Sequence, residues 1–462
     1  MHTPVIKKEI KRRTYQLVKG MKDILPEEQK YWNYLTEKVK ELAHLYGYDK
    51  IDIPLVEETG LFNRSVGQTT DIIEKEMYSF TDQGGENISL RPEFTAGIAR
   101  AYIEHGMLNL PQPIKLYTFG PCFRYDRPQA GRYRQFHQFN FEAIGEADPV
   151  CDAQIIQLAY KVFSSAGLDI TIQINSIGCQ SCRPGYEQIL KDYFKKHRSK
   201  LSEVSQKRLQ KNVLRILDSK EKMDLPIIDD APQQVDHLCE DCKNHFIQVL
   251  EYLDELEVPY VLNPTIVRGL DYYTRTTFEI TTLELSDSDK EQGRQIALGG
   301  GGRYDNLHEL LGGRPTPAVG FAGGFERLIS KIKEKELAIP EASKPEVFLA
   351  QLGPEARRKS LKLFEELSKA GFKVRESFAK TGLKPQLELA NRLGAKISLI
   401  LGQKEIIDKT IMIRDMDGGI QEIVDFNKVI SELKKRLQKL EVINKHLEGQ
   451  KEEQSPETPA ES

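Results

Sequence analysis

The sequence predicts an α+β protein: a mostly antiparallel sheet with helices packed on it, interrupted by a helical insertion and followed by a compact α/β domain. Three observations carry this. At 462 residues the chain is too long for one ordinary hydrophobic core, so more than one domain is expected. Short runs near residues 88, 117, 136, 278 and 297 read as strands, and no strict strand-helix alternation links them, which favours antiparallel pairing. After the turn-rich linker Ile339-Pro-Glu-Ala-Ser-Lys-Pro345 the pattern changes to Val347-Phe-Leu-Ala, helix, Phe372-Lys-Val, helix and Ile397-Ser-Leu-Ile-Leu. Strand and helix in turn predict a mainly parallel sheet.

Residues 1–14 form a basic extension, with Lys7, Lys8, Lys11, Arg12 and Arg13 but no apolar segment behind them, so they are not read as a secretory signal. A larger core spans 15–340. Within it Tyr31, Leu35, Val39, Leu42 and Tyr46 recur at helical spacing, predicting an amphipathic helix over 27–46 that Gly47 stops. Ile51-Asp-Ile-Pro-Leu-Val56 reads as an edge strand, because Pro54 cannot donate to a ladder. The run from Arg124 to Glu142 joins a basic, Gly-punctuated loop to a strand of alternating polar and aromatic residues. Alternation places Gln138, Asn140 and Glu142 on one face and His137, Phe139 and Phe141 on the other. Arg124, Arg127, Arg132 and Arg134 supply guanidinium forks that match phosphate oxygens in pairs.

From about 175 to 260 the character changes to long charged helices such as Tyr186 to Lys200, read as an inserted subdomain. Cys179-Gln-Ser-Cys182 and Cys239-Glu-Asp-Cys242 stand near its two ends, separated by 56 residues. Paired CxxC knuckles are a zinc signature, but the usual interval is about 15 to 20 residues. Structural zinc and free thiols near a surface both remain open readings. Gly299 to Gly302 is either a flexible loop or a place where a flat ligand approaches the backbone. Residues 345–433 form the α/β domain, and 345 to 440 carry 19 Lys and Arg against 13 Asp and Glu, a net of +6 that suits a phosphate-backbone partner. Residues 434–462 read as a charged helix and a disordered tail, since Glu448 to Ser462 lack aliphatic and aromatic core residues.

Composition narrows the classes further. No apolar run approaches the eighteen or so residues of a membrane span. A net charge of -3 gives no global hint of nucleic acid, so any such contact must come from local patches. Six cysteines without an extracellular context point to a reducing compartment, with the cytoplasm as the default.

Five segments in order bear on identity: Lys19-Gly-Met-Lys-Asp-Ile-Leu-Pro26, Leu90-Arg-Pro-Glu-Phe-Thr-Ala-Gly97, Arg124 to Glu142, Val267-Arg-Gly-Leu-Asp-Tyr-Tyr-Thr-Arg-Thr276, and Ala297 to Asp305 running on to Gly320-Phe-Ala-Gly-Gly-Phe-Glu-Arg-Leu328. Together they resemble the class II aminoacyl-tRNA synthetases in the form carried by histidyl-tRNA synthetases, over about Tyr15 to Leu433. The resemblance implies the class II catalytic fold, an anticodon-binding domain at 345–433, and a homodimer built through the helix and strand of motif 1. It also implies two reactions: the carboxylate of histidine attacks the α-phosphorus of ATP, and the histidyl group then passes to the 3′ end of histidine tRNA. A carboxylate is already ionised at neutral pH, so the first step needs positioning and positive charge rather than a base. Arg124 and Arg268 match the α-phosphate arginines, Arg268 in a role that a metal fills in other class II enzymes, and Arg327 matches the γ-phosphate arginine. Glu93 and Thr95, with Gln138, match the ammonium site; Glu142, Tyr272 and Tyr273 complete the pocket, Glu142 and Tyr273 best matching the imidazole contacts. Gly299, Gly300 and Gly301 would lie beneath the adenosine. Arg127, Gln129 and Arg132 match acceptor-stem positions. ATP with Mg2+, L-histidine and histidine tRNA are the implied ligands.

Phe94 departs from the family pattern, where Gly is frequent, and either reshapes the pocket edge or points into the core. A non-catalytic relative, such as the regulatory paralogue that assists the first enzyme of histidine biosynthesis, would lack catalytic arginines and the C-terminal domain; a tRNA-binding module that no longer activates an amino acid would have replaced pocket residues. Arg124, Arg268, Arg327 and the C-terminal domain are all present here.

Overall fold

The structure is a computed structural model that describes residues 14–67, 70, 72–126, 132–283, 297–341 and 344–439. Arg127, Gln129, nearly all of the basic extension and the tail beyond 439 lie outside the described residues. The chain divides into two compact units, Met1–Pro340 and Glu341–Ser462.

The first unit contains β1 (Asp49–Lys50), β2 (Val56–Glu58), β3 (Ser79–Thr81), β4 (Asn87–Leu90), β5 (Ile114–Phe123), β6 (Gln135–Ile144), β7 (Ile170–Ser176), β8 (Tyr260–Leu262), β9 (Thr274–Thr282), β10 (Gly299–Arg303) and β11 (Ala318–Gly324). Eight of these form one sheet in the order β1-β5-β6-β11-β10-β9-β7-β8, while β2-β4-β3 form a small antiparallel sheet. From β5 to β7 every neighbouring pair is antiparallel, and the outer pairs β1/β5 and β7/β8 are parallel. Strands at 88, 117, 136 and 278 fall where the sequence puts them, and the one near 297 starts at Gly299.

The side-chain alternation of β6 organises the molecule. Phe139 and Phe141 are fully buried in the main core, against Phe321, Phe325 and the helix Pro149–Ser164. Asn140 and Glu142 point the other way into a second, polar-lined cluster. The predicted helix over 27–46 is Gln29–Leu45, and Gly47, at φ +71°, supplies the left-handed turn after it. Its stripe of Leu35, Val39 and Leu42 packs into its own unit's core.

One expectation fails locally. Ile51 to Val56 is not one edge strand, because regular pairing ends at Lys50 and resumes at Val56 in the other sheet. The backbone between is held by Arg91, whose Nη1 donates to the carbonyls of Ile53 (2.7 Å) and Pro54 (3.2 Å). Pro54 has no N–H to offer a ladder, and a side-chain donor takes over its carbonyl.

A buried ion network ties the sheet to two helices. Arg303, fully buried at the end of β10, donates to both oxygens of Asp152 and, at 3.1 Å, to Asp305. His245, on the helix Glu240–Glu255, lies 3.3 Å from Asp152 and 3.2 Å from Arg275. Burial alone would push Asp152 up, but the charge of Arg303 outweighs it and holds the carboxyl at about 2. Removing one member of such a pair leaves a buried charge uncompensated, so loss of either Arg303 or Asp152 alone is costly.

The charged helix expected over 186–200 is Arg183–Lys196 followed by a 3-10 turn, Arg198–Lys200. With its neighbours it closes a separate small core around Tyr186, Leu190, Phe194 and Ile216.

The second unit holds β12 (Val347–Gln351), β13 (Val374–Glu376), β14 (Ile397–Leu401), β15 (Thr410–Asp415) and β16 (Gln421–Asp425) in the order β13-β12-β14-β15-β16. The first three are parallel, as alternation with helices requires. The last two were not anticipated and run antiparallel, joined at Asp417-Gly418-Gly419.

Candidate active site

The polar face of β6, the start of the helix Thr95–Glu104, and the segment 268–273 form one connected set of contacts. The two oxygens of Glu93 accept the backbone N–H groups of Thr95 (2.6 Å) and Ala96 (2.8 Å), capping that helix with a carboxylate. This capping fixes a buried acid whose pKa burial raises despite the amide bonds. Thr95, held at the first helical position, donates from Oγ1 to Glu142 Oε1 at 2.8 Å. Tyr304 donates to the other oxygen, Oε2, at 2.6 Å. Asn140 Nδ2 stands 3.5 Å from Oε1. Burial pushes Glu142 up to about 7 against the hydrogen bonds of Tyr304 and Thr95. Room for this carboxylate depends on Gly320 of β11, where a Cβ would fall 1.7 Å from Glu142 Oε2.

The tyrosines continue the chain of contacts. Tyr272 lies 5.7 Å from the Tyr304 ring and 4.7 Å from Tyr273, and both Tyr272 and Tyr273 are buried. Arg268 sits 5.6 Å over the Tyr273 ring and donates to Glu279 Oε1 at 2.7 Å. A Cβ on Gly300 would come within 2.6 Å of Arg268 Nη1. The absent side chain at 300 therefore makes room for a guanidinium across the strand. Gly299 and Gly301 lie hard against the backbone of β11, with a Cβ meeting Ala322 O at 2.6 Å and Gly320 O at 2.1 Å. The Gly run is thus a strand, not a loose loop.

Arg124 follows β5; its Nε donates to the carbonyl of Pro92 (2.9 Å) and its guanidinium lies 5.3 Å over Phe136. Arg327, in the first turn of the helix Phe325–Glu334, donates to the carbonyl of Ala297 just before β10 (2.6 Å). Gln138 is half-buried, with its Oε1 3.6 Å from the Cys122 thiol. Arg132 pairs with Asp126 at 3.1 Å.

Phe94 is fully buried with Ile98, Tyr102 and Leu116, its ring under the Arg91 guanidinium at 4.1 Å. Of the two readings of Phe94, the core one holds. His137 shares the face of Phe139 and Phe141, as expected, and stands at the rim of that core beside a cavity of about 130 Å3, with Nδ1 2.8 Å from Glu326 and its ring edge-on to Trp32. Sequence reading missed the roles of Tyr304 and Glu279 and the steric reason for Gly320. Tyr304 stood in a quoted motif, but nothing local pairs it with a residue 162 positions away.

An antiparallel sheet carrying arginines at these positions, followed by a separate mixed-sheet unit, is the architecture of a class II aminoacyl-tRNA synthetase catalytic domain joined to an anticodon-binding domain. A family model described as histidyl-tRNA synthetase matches residues 20–328, and one described as anticodon binding domain matches 346–436. A histidine–tRNA ligase of Dehalococcoides mccartyi is 46% identical over 424 residues, covering 92% of this chain and 100% of the relative. One of Caldicellulosiruptor bescii is 45% identical over 425 residues, covering 92% and 99%. The crystal structure of apo S. aureus histidyl-tRNA synthetase is similar with a TM-score of 0.76 and 35% identity, across 91% of this chain and 100% of that one. The chain belongs to the histidyl-tRNA synthetase family.

Proposed function

We propose that the protein is a histidine–tRNA ligase, forming histidyl-adenylate and pyrophosphate from L-histidine and ATP and then charging the 3′ end of histidine tRNA. The observation that carries this is Glu142: a fully buried carboxylate held between two hydroxyls on a polar strand face. Such a group accepts a ring N–H, and any amino acid that offers none forgoes a charge-assisted hydrogen bond at a carboxylate shut off from water. Glu93 and Thr95, with Gln138, take the ammonium of the substrate, and Tyr272 and Tyr273 wall the imidazole.

Arg124 and Arg268 hold the α-phosphate and Arg327 the γ-phosphate, so the reaction rests on positioning and positive charge. Arg268 meets this role already oriented by Glu279 and Tyr273. Glu279, its side chain one third exposed beside Arg268, is a hard oxygen ligand that would suit Mg2+ brought with ATP, whose charge would offset that of the phosphates. Gly299, Gly300 and Gly301 lie under the adenosine, and Arg127, Gln129 and Arg132 meet the acceptor stem. The second unit binds the anticodon. Two chains form the active homodimer. Among the described residues no helix is long and apolar enough to cross a membrane, and the cytoplasm is the compartment we assign.

The test is amino-acid-dependent exchange of labelled pyrophosphate into ATP with all twenty amino acids in parallel. Exchange with histidine alone is expected. Exchange with another amino acid, or none from folded protein with Mg2+ present, sinks the reading.

A further inference from the structure

We propose that Cys179, Cys182, Cys239 and Cys242 form a structural zinc(II) tetrathiolate site that clamps the two ends of the insert and braces the tyrosine wall of the pocket. The four sulfurs come from two CxxC pairs about sixty positions apart, yet all lie within 4.8 Å of one another. Cys179 Sγ is 3.8 Å from Cys182 Sγ and 3.8 Å from Cys239 Sγ, and Cys182 Sγ is 3.9 Å from Cys242 Sγ. Four thiolates at about 2.3 Å from a tetrahedral zinc stand about 3.8 Å from each other. A disulfide would need about 2.05 Å, and all four cysteines are free. The separations are those of a shared central ion, not of two crosslinks.

The local backbone is arranged for thiolate charge. Cys182 immediately precedes the helix Arg183–Lys196, Cys239 immediately precedes the helix Glu240–Glu255, and Cys242 lies in the first turn of the latter. Two helix N-termini therefore start at one group of sulfurs, where the positive end of each helix dipole favours thiolate. Cys179 N–H donates to Cys182 Sγ at 3.2 Å. Gly178, at φ +67°, lets the chain fold onto that sulfur, since a Cβ there would stand 2.5 Å from it. An all-sulfur set with no carboxylate selects a soft or borderline ion and rejects Mg2+ and Ca2+.

The clamp reaches the pocket through Arg183, the residue after Cys182. Its guanidinium donates to the backbone carbonyl of Tyr273. Gly178 O accepts the N–H of Arg275 at 2.9 Å, and Ile177 N–H donates to Arg275 O at 2.8 Å, so the first knuckle is stitched to the strand that begins after Tyr273. Arg183 is a positioning residue in this arrangement.

The experiment is metal analysis of the full chain purified under reducing conditions, with a thiol titration that follows metal release. One zinc per chain, freed as four thiols are blocked, is the expected result. Replacement with Co2+ is expected to give the intense visible bands and sulfur-to-metal charge transfer of a tetrahedral thiolate site. Cys242→Ser should abolish stoichiometric binding while Cys151→Ser keeps it; should Cys242→Ser fail to fold, the Co2+ spectrum of the parent still decides. Bound iron, or reduced protein that takes up neither Zn2+ nor Co2+, overturns the site. Folded Cys242→Ser is expected to raise the KM for histidine roughly tenfold and that for ATP far less. An unchanged histidine KM in a folded, metal-free variant overturns the link to the pocket.

Discussion

A carboxyl held as Glu142 is held, pushed up to about 7 by burial against hydrogen bonds from Tyr304 and Thr95, is close to half protonated at neutral pH. In the proposed pocket the ionised carboxylate is the stronger acceptor of the imidazole N–H, so histidine binding would select that form and release a proton below pH about 7. Apparent affinity for histidine should therefore rise between about pH 6 and 8, beyond what deprotonation of the substrate's own imidazole contributes. Glu142→Gln removes this ionisation and should raise the histidine KM by between about tenfold and a hundredfold. The sign for stability is opposite. The folded pKa is raised above its ordinary 4.5, so the stabilising contribution is complete below that value and is lost as pH rises through about 7. Melting of the unliganded protein should show the Gln variant gaining on the parent from about pH 4.5 to about 7 and levelling off above that. A histidine KM in the variant with the parent's pH dependence would mean that Glu142 does not face the imidazole.

At the scale of elements, β10 and β11 use missing side chains to admit functional ones. Gly300 leaves space for Arg268, and Gly320 leaves space for Glu142, each within a central strand of the sheet. The same substitution should therefore have two different kinetic signatures. Gly300→Ala displaces Arg268, the proposed α-phosphate arginine, and should raise the KM for ATP while slowing pyrophosphate exchange, by roughly a hundredfold if a phosphate contact is lost. Gly320→Ala displaces Glu142, the proposed imidazole acceptor, and should act mainly on the KM for histidine. Equal effects on both substrates in both variants would point instead to a general distortion of the sheet.

The site was legible in the sequence where one element carries it. The period of two in Gln138, Asn140 and Glu142 gives the polar face of β6 directly. It was not legible where elements meet: the Thr95 to Glu142 bond spans 47 positions and the Tyr304 bond 162. The failed edge strand at 51–56 has the same origin, since Arg91, which replaces its ladder, lies 38 positions from Ile53. An interval of 56 residues between the CxxC pairs left their convergence undecided in the sequence, because an inserted subdomain folds between them.

At the scale of the whole molecule, each of the two units encloses its own core. Phe139, Phe141, Phe278 and Phe321 are buried in the first, and Val347, Leu363, Leu399 and Ile413 in the second. The alternation of strand and helix made the parallel half of the second sheet readable. The antiparallel β15 and β16 were hidden by a short polar turn and by exposed residues such as Ile423. Because the pocket residues and the three arginines of the proposed chemistry all belong to Met1–Pro340, the two reactions should separate on truncation. A chain ending at Pro340 retains every described contact around Glu142 and Arg268. It should sustain histidine-dependent pyrophosphate exchange within a small factor of the parent. Charging should suffer, since in the proposed function the net +6 of 345 to 440 contributes electrostatically to tRNA binding, a contribution that weakens steeply with salt. The measurement pairs exchange with charging of full-length tRNA at two salt concentrations. Loss of charging with exchange intact, and a flatter salt dependence in the truncated chain, is the expected pattern. Undiminished charging by the truncated protein would remove the second unit from tRNA recognition.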